Sequence, residues 1–253
     1  MTDAVVLRSF EYGETSRILR LLTPDLGVQA VLAKGARRPR SRFSAVLEPF
    51  ARGTATLHLK PGRELQTLAA FDLVHRPRGL GTDLLRFGGA SLIAEILLRT
   101  ASEEAHPGLF DGFVDAIAAI EAAPTENLEP VLLARTWAIV TLLGFGPTLD
   151  ACVRCGRAFG PDEGAFFDAA AGGLRCADCG PHAHSGLVPS HGIDALRRFA
   201  RGEPAAVDRT EGHWRLLARH LEHHILDRAP LRSLQFLLDA LARAATHTRG
   251  STP

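Results

Sequence analysis

Arg17-Ile18-Leu19-Arg20-Leu21-Leu22-Thr23-Pro24-Asp25-Leu26-Gly27-Val28-Gln29-Ala30-Val31-Leu32-Ala33 is the stretch on which the fold of the first third of this chain turns. Its two apolar runs flank Thr23-Pro24-Asp25-Leu26-Gly27, a turn by composition, so the segment reads as strand, turn, strand. Upstream, Ala4-Val5-Val6-Leu7-Arg8-Ser9-Phe10 is a further strand-like run, broken at Tyr12-Gly13-Glu14. Downstream come Thr54-Ala55-Thr56-Leu57-His58-Leu59 and Leu65-Gln66-Thr67-Leu68-Ala69-Ala70-Phe71, joined across Lys60-Pro61-Gly62-Arg63 as a hairpin. Five short strands within about 75 residues, most without helical spacers, predict a small closed or nearly closed barrel.

Past Arg76-Pro77-Arg78-Gly79 the period becomes helical. Leu84, Leu85, Phe87, Leu92, Ile93, Ile96 and Leu97 define one helix, and Leu109, Phe113, Ile117 and Ile120 a second that stops at Ala123-Pro124. A third runs from Leu128 to Leu143 and is closed by Gly144-Phe145-Gly146-Pro147. Three more are expected at Ile193 to Phe199, Trp214 to Leu226 and Leu231 to Ala245, followed by a frayed tail. The fold class that follows is multidomain α+β, a strand-rich first part and a mostly α-helical C-terminal body.

The 253 residues, 46% hydrophobic and 23% charged, have a globular composition sufficient for two or three small domains. No apolar run approaches the roughly 20 residues of a bilayer span, so no membrane helix is expected. Met1-Thr2-Asp3-Ala4-Val5-Val6 lacks the regions of a signal peptide, which points to a cytoplasmic location. The net charge of +1 conceals an asymmetry. Residues 1–80 carry 13 Lys/Arg against 7 Asp/Glu, and residues 81–253 carry 16 against 21. A basic first part joined to an acidic remainder suggests a polyanion-binding module.

The four cysteines form two pairs, Cys152-Val153-Arg154-Cys155 and Cys176-Ala177-Asp178-Cys179, separated by twenty residues. That spacing belongs to treble-clef or ribbon-like zinc sites, in which each pair sits on a tight knuckle. Gly156 and Gly180 supply the sharp turn that aims backbone N–H groups at sulfur. Four thiolates close the coordination of one structural zinc and leave no position for substrate. His182, His184 and His191 follow closely and are read as surface residues, as is the histidine-rich face His220, His223 and His224. His220 and His224 have the i, i+4 spacing of a metal pair, but Leu221 stands where a zinc-protease pattern needs glutamate.

Lys34-Gly35-Ala36-Arg37-Arg38-Pro39-Arg40-Ser41-Arg42-Phe43 places five cations within nine residues and no acid among them. Gly35 and Pro39 rule out a regular helix, so the run is a loop between barrel strands, where such barrels bind oligonucleotides. Like charges this close make sense when a polyanion neutralises them. Lys34, Arg37, Arg38, Arg40 and Arg42 are therefore the candidate nucleic-acid contacts, to backbone rather than to bases. Phe10, Tyr12, Phe43 and Phe50 are the nearby aromatics, and core packing accounts for most of them.

The chain resembles the RecO family of bacterial recombination mediators. The resemblance rests on Gly13-Glu14-Thr15-Ser16-Arg17-Ile18-Leu19, the Thr23–Gly27 turn, Val31 to Arg42, Leu47-Glu48-Pro49-Phe50, and Gly144-Phe145-Gly146-Pro147 followed by Cys-x-x-Cys. It implies an N-terminal OB-fold at residues 1–79, a helical domain at 80–150 and 186–246, an embedded zinc finger at 151–185 and a disordered tail at 247–253. It also implies binding of single- and double-stranded DNA, annealing of complementary strands, and loading of RecA on SSB-coated single strands with a RecR-like partner. The SSB C-terminal tail, acidic and apolar-ended, would want an apolar groove edged with arginine on the helical domain. Arg197, Arg198, Arg201, Arg215 and Arg219 are cations whose use is left open. Two other readings stand beside this one: a zinc-ribbon and OB RNA-binding module, and a metal-dependent enzyme using the histidine-rich helix. No phosphate-binding loop or dinucleotide fingerprint accompanies them, and no enzyme is expected.

Overall fold

The computed structural model describes residues 1–43, 46–181, 186–225 and 229–249, and divides the chain into two compact units, Met1–Glu121 and Ala122–Pro253. His182, His184, the end of the expected helix at Leu226 and the last four residues of the tail lie outside the described residues.

The first unit begins with five strands: β1 (Thr2–Tyr12), β2 (Ser16–Thr23), β3 (Gly27–Ala33), β4 (Arg52–His58) and β5 (Leu65–His75). They close into a barrel of order β1-β2-β3-β5-β4, with β4 returning to β1. All pairings are antiparallel except β3 with β5, which run parallel through Ala30↔Leu65, Val31↔Gln66 and Leu32↔Thr67. This is an OB-like barrel, as expected. Its core is Ala4, Val6, Leu19, Leu21, Val31, Ala33, Ala55, Leu68 and Phe71, contributed by all five strands. Bulges after Val6, Arg52 and Thr56 bend the strands enough to close the sheet.

The connection between β3 and β4 is not an independent loop. Ala36, Phe43, Leu47 and Ala51 belong to the barrel core, so the segment plugs one end of it. Phe50 has a left-handed backbone (φ 68°), a conformation that costs a non-glycine residue about 1–2 kcal/mol. It is held there by its N–H donating to the Val6 carbonyl at 2.7 Å, and by Val6 N–H donating to Ala51 at 3.0 Å. The Phe50 ring then packs edge-on to Phe87 at 5.9 Å and beside Phe113 at 6.5 Å. Those two rings stand on α1 (Leu84–Thr100) and α2 (Pro107–Ala122). Helix α1 is capped by Asp83, whose carboxylate accepts from the N–H groups of Leu85 and Arg86. Arg86 in turn donates to the carbonyls of Ile120 and Glu121 at the end of α2, where the helix dipole favours a cation.

The second unit is built on α3 (Leu128–Val140), which buries Leu128, Leu132, Leu133, Trp137 and Val140. Helices α4 (Ser190–Ala200) and α5 (Glu211–His224) pack on it, and α6 (Arg232–Arg249) ends the described chain. Thr125–Phe145 spans 21 residues at mean hydropathy 1.4, a bilayer-length apolar helix that the sequence reading did not anticipate. Within it α3 faces the core, while the Thr141–Phe145 end does not; 44% of the apolar window is buried inside the protein. Helix α3 widens into a π turn and stops at Gly144, whose φ of 87° requires glycine. A three-stranded sheet that the sequence did not reveal follows, in the order β7 (Gly173–Arg175), β6 (Ala165–Asp168), β8 (Leu187–Val188).

Gly27 carries two constraints at once. Its φ is +62°, and a Cβ there would meet the Glu104 and Ser102 carbonyl oxygens at 2.3 and 2.5 Å. Gly62 shares the left-handed backbone (φ +75°) with open space around it. Gly27→Ala should therefore lower stability by at least about 2 kcal/mol, and Gly62→Ala by about 1, in urea unfolding. Equal losses would mean that the contact with the segment after α1 gives way freely.

Candidate nucleic-acid interface and metal centre

The five cations of the β3–β4 connection are all exposed, while the apolar residues between and beside them point into the barrel. Local bonds hold this arrangement. Gly35 turns with φ 69°, Arg38 N–H donates to the Gly35 carbonyl, and Ser41 N–H donates to the Arg38 carbonyl. Arg40 sits in the left-handed region (φ 63°) at the tip. Arg37 N–H donates to Thr15 at 2.8 Å, which ties the loop to the β1–β2 turn. Among the described residues only Arg37 of the five has an acidic partner, Glu11 at 3.2 Å; Arg42 lies over the Phe43 ring at 5.0 Å. A cleft of about 360 Å³ beside the loop is lined by Arg17, Ala36, Arg37, Arg38, Phe43, Leu47 and Glu48. The structure thus brings the cations together on one open surface.

Two aromatics lie elsewhere than expected. Phe43 and Phe50 are buried, but Phe10 and Tyr12 are 40% and 52% exposed. The cause is the bulge after Val6. Val6 pairs with Leu21 and both point into the core, whereas Arg8 pairs with Arg20, one residue out of phase. The slip turns Arg8, Phe10 and Tyr12 to the outer face, where simple alternation from Ala4 and Val6 would have buried them.

Cys152, Cys155, Cys176 and Cys179 converge so that all four sulfurs lie within 4.8 Å of one another. Cys155 and Cys176 are 3.8 Å apart, the S···S separation of a tetrahedral site with metal–sulfur bonds of about 2.3 Å. Each pair forms the expected knuckle. Gly156 and Gly180 have φ of 75° and 68°, and their N–H groups donate back to Cys152 and Ala177. The hairpin β6–β7 occupies residues 165–175, the second half of the segment between the pairs, and leads directly into Cys176. It is seated by Gly173, whose added Cβ would strike the Thr148 carbonyl oxygen at 2.3 Å. A buried ion pair, Asp168 to Arg175 at 3.3 Å, locks the same hairpin.

Burial raises the Cys152 thiol, but N–H groups of Cys176, Cys155 and Arg154 outweigh it and bring the pKa down to about 6. Cys176 is lowered, chiefly by the Cys179 N–H, while sharing with Cys176 pushes Cys179 up to about 12. Four crowded thiols cannot all ionise alone. A divalent cation removes that conflict, so the donor set fits a metal ion.

On the histidine face of α5, His220 and His224 are each taken up by a backbone carbonyl and His223 is solvated. His220 is buried; its Nε2 contacts the Phe145 carbonyl at 2.6 Å, and since a carbonyl only accepts, Nε2 carries the proton. Its Nδ1 is buried and has no hydrogen-bond partner among the described residues, so a second proton there finds no acceptor among them. His224 Nε2 likewise donates to Ala169 at 2.8 Å, and only His223 is exposed. Among the described residues the four cysteines are the one His/Cys/Asp/Glu group placed to hold a metal. The arginines left open by the sequence divide in their use. Arg197 bonds Asp150, Asp194 and the Leu149 carbonyl, and Arg198 bonds Pro204 and Glu203. Arg215 and Arg219 border a groove with Leu187, Val188, Arg209 and Leu216.

Fold and site together define an OB-like barrel protein with an exposed cationic loop, whose second, helical unit carries a closed four-cysteine centre. Two family models match: Recombination protein O N terminal over residues 1–77, and Recombination protein O C terminal over residues 81–235. Relatives called DNA repair protein RecO include that of Anaeromyxobacter dehalogenans (strain 2CP-C), 35% identical over 87% of this chain and 89% of its own. That of Rubrobacter xylanophilus is 34% identical over 89% and 90%, and that of a Nocardioides species 34% over 81% and 84%. The chain belongs to the RecO family of DNA repair proteins.

Cys152→Ser or Cys176→Ser should cost several kcal/mol (roughly 3–5), because metal binding and folding are one equilibrium. Metal analysis of the parent should find one ion per chain; a variant that lacks the ion and melts like the parent would show the site to be dispensable. Burial, first of all, depresses His220 to about 4, helped by His224 and His223 and opposed by the Phe145 carbonyl. The unfolded chain takes up that proton near 6.5 and the folded chain only near 4, so stability is complete above about pH 7 and falls as pH drops between the two values. The loss should approach about 3 kcal/mol in urea titrations, and His220→Gln should flatten the pH dependence by that amount.

Proposed function

We propose that this protein is a DNA-binding recombinational repair factor that screens phosphates of two strands at once and so anneals complementary DNA without nucleotide hydrolysis. The observation that carries the reading is the loop itself: five exposed cations on a core-anchored frame, four of them without an acidic partner among the described residues. Lys34, Arg37, Arg38, Arg40 and Arg42 hold backbone on single- and double-stranded DNA. Contacts to phosphate carry no sequence information, so binding is sequence-tolerant.

Family membership supports the wider role. With a RecR-like partner the protein helps load RecA on SSB-coated single strands. The groove of Leu187, Val188 and Leu216, edged by Arg209, Arg215 and Arg219, suits the acidic, apolar-ended SSB tail. The four cysteines hold one structural zinc; with every position filled by sulfur, such an ion builds the fold and does no chemistry. The protein is not an enzyme and acts in the cytoplasm, at the nucleoid. Residues 1–79 form the nucleic-acid-binding domain, 80–150 and 186–246 the helical domain, and 151–185 the zinc finger.

The test is binding of labelled DNA, single-stranded, duplex and RNA of equal length, across a salt series, with annealing followed in the same samples. Neutralising Arg37, Arg38 and Arg40 together should weaken binding uniformly across sequences and reduce the salt slope by about two to three. Annealing should slow in step. An unchanged slope would place the phosphates on another surface, and tighter binding of RNA than DNA at equal salt would turn the reading toward an RNA-binding module.

A further inference from the structure

We propose that the outer face of β1 and β2 is a stacking platform for unpaired bases, so that the barrel holds single strands by their bases while the neighbouring loop holds the backbone. The inference deepens the reading of the loop as a phosphate-binding element and rests on it. Phe10 and Tyr12 lie two residues apart on the same outer face, with Ile18 and Ser16 paired beside them on β2. They are 40% and 52% exposed, whereas Phe43, Phe50, Phe71 and Phe113 are buried in the same unit, and Phe87, exposed to 40%, packs against Phe50. The Arg8 guanidinium sits 4.6 Å from the centre of the Phe10 ring, and Arg20 stands directly across from Arg8. Facing like charges destabilise a strand pair, and among the described residues no acidic group pairs with either. An anion over this face relieves that repulsion.

The platform is continuous with the loop. Tyr12 is followed by the turn whose Gly13 and Thr15 carbonyls accept hydrogen bonds from Arg37, at 3.4 Å from its guanidinium and 2.8 Å from its N–H. A strand held by the loop therefore runs directly onto the rings. Residues i and i+2 of a strand are about 6.7 Å apart, twice the roughly 3.4 Å rise of one strand in a duplex. Bases seated on both rings must be unstacked from one another, which a single strand permits and a duplex does not. Stacking on aromatic rings tolerates any base, in keeping with backbone-led binding.

The experiment uses the full chain with three labelled probes of equal length: oligothymidylate, an abasic sugar-phosphate strand and a duplex. The double variant Phe10→Ala/Tyr12→Ala should lose at least about tenfold in affinity for oligothymidylate, with an unchanged salt slope and unchanged binding of the abasic strand and duplex. Tyr12→Phe should bind as the parent does. Phe10→Trp should acquire an emission quenched by oligothymidylate and not by the abasic strand, against the constant background of the buried Trp137 and Trp214; this arm decides even where the double variant folds poorly. Undiminished oligothymidylate binding, an equal loss on all three probes, or quenching without base selectivity would each overturn the platform. Failure of the loop reading looks different: it removes the salt slope of the parent protein on every probe, while the ratio of oligothymidylate to abasic binding still reports on the rings.

Discussion

The parallel pairing of β3 with β5 is the contact on which the N-terminal unit depends. Without it the five strands would be an open antiparallel sheet with β3 and β5 as exposed edges. With it the sheet closes, its edges are satisfied, and the chain between β3 and β4 must cross one end of the barrel. That end is filled by Ala36, Phe43 and Leu47, side chains of the same segment that carries the cations. Driving the apolar residues inward leaves Lys34 and the four arginines nowhere to go but outward. Phe50 completes the arrangement: its strained backbone is held by the Val6 bonds and by two rings from α1 and α2. The exposed cationic surface is a by-product of closing the barrel.

Both candidate sites follow one electrostatic logic, with opposite sign and opposite exposure. The loop gathers cations that repel each other, a repulsion that a polyanion would relieve. The knuckles gather thiols whose joint ionisation is unfavourable until a dication joins them. Exposure separates the consequences. Cations in water are screened by salt, so their partner is held reversibly. The sulfurs, with Cys152 and Cys176 buried, are screened less, and a metal bound there would become part of the fold. The first kind suits a partner that is bound and released. The second kind suits a centre that only supports the chain around it.

Much of this was legible in the amino-acid order. The strand–turn–strand run from Arg17 to Ala33, the two Cys-x-x-Cys pairs with their glycines, and the uninterrupted cations from Lys34 to Arg42 are local patterns. Each has a physical meaning that neighbours in sequence suffice to supply. Helix boundaries came close for the same reason: Asp83 caps α1 and Gly144 stops the helix begun at Leu128. The sheet of β6, β7 and β8 was not legible. Its strands are two to four residues long, too short to show a period, and their pairing is set by Gly173 fitting against Thr148.

Local chemistry, then, was determined by the sequence by itself: which segments of the barrel are strands, which residues can ligate metal, which loop is cationic. Only the tertiary structure decided which face each side chain takes. The bulge after Val6 shifts the phase of β1 by one residue, which puts Arg8, Phe10 and Tyr12 into water although alternation would bury them. His220, on a helix face that looks polar, is enclosed by Trp137, Phe167 and the Phe145 carbonyl. In both cases the deciding contacts come from residues distant in the chain or from a one-residue slip in register. Side-chain orientation along a strand reverses with each residue, so such a slip exchanges inside for outside without altering the composition of the segment.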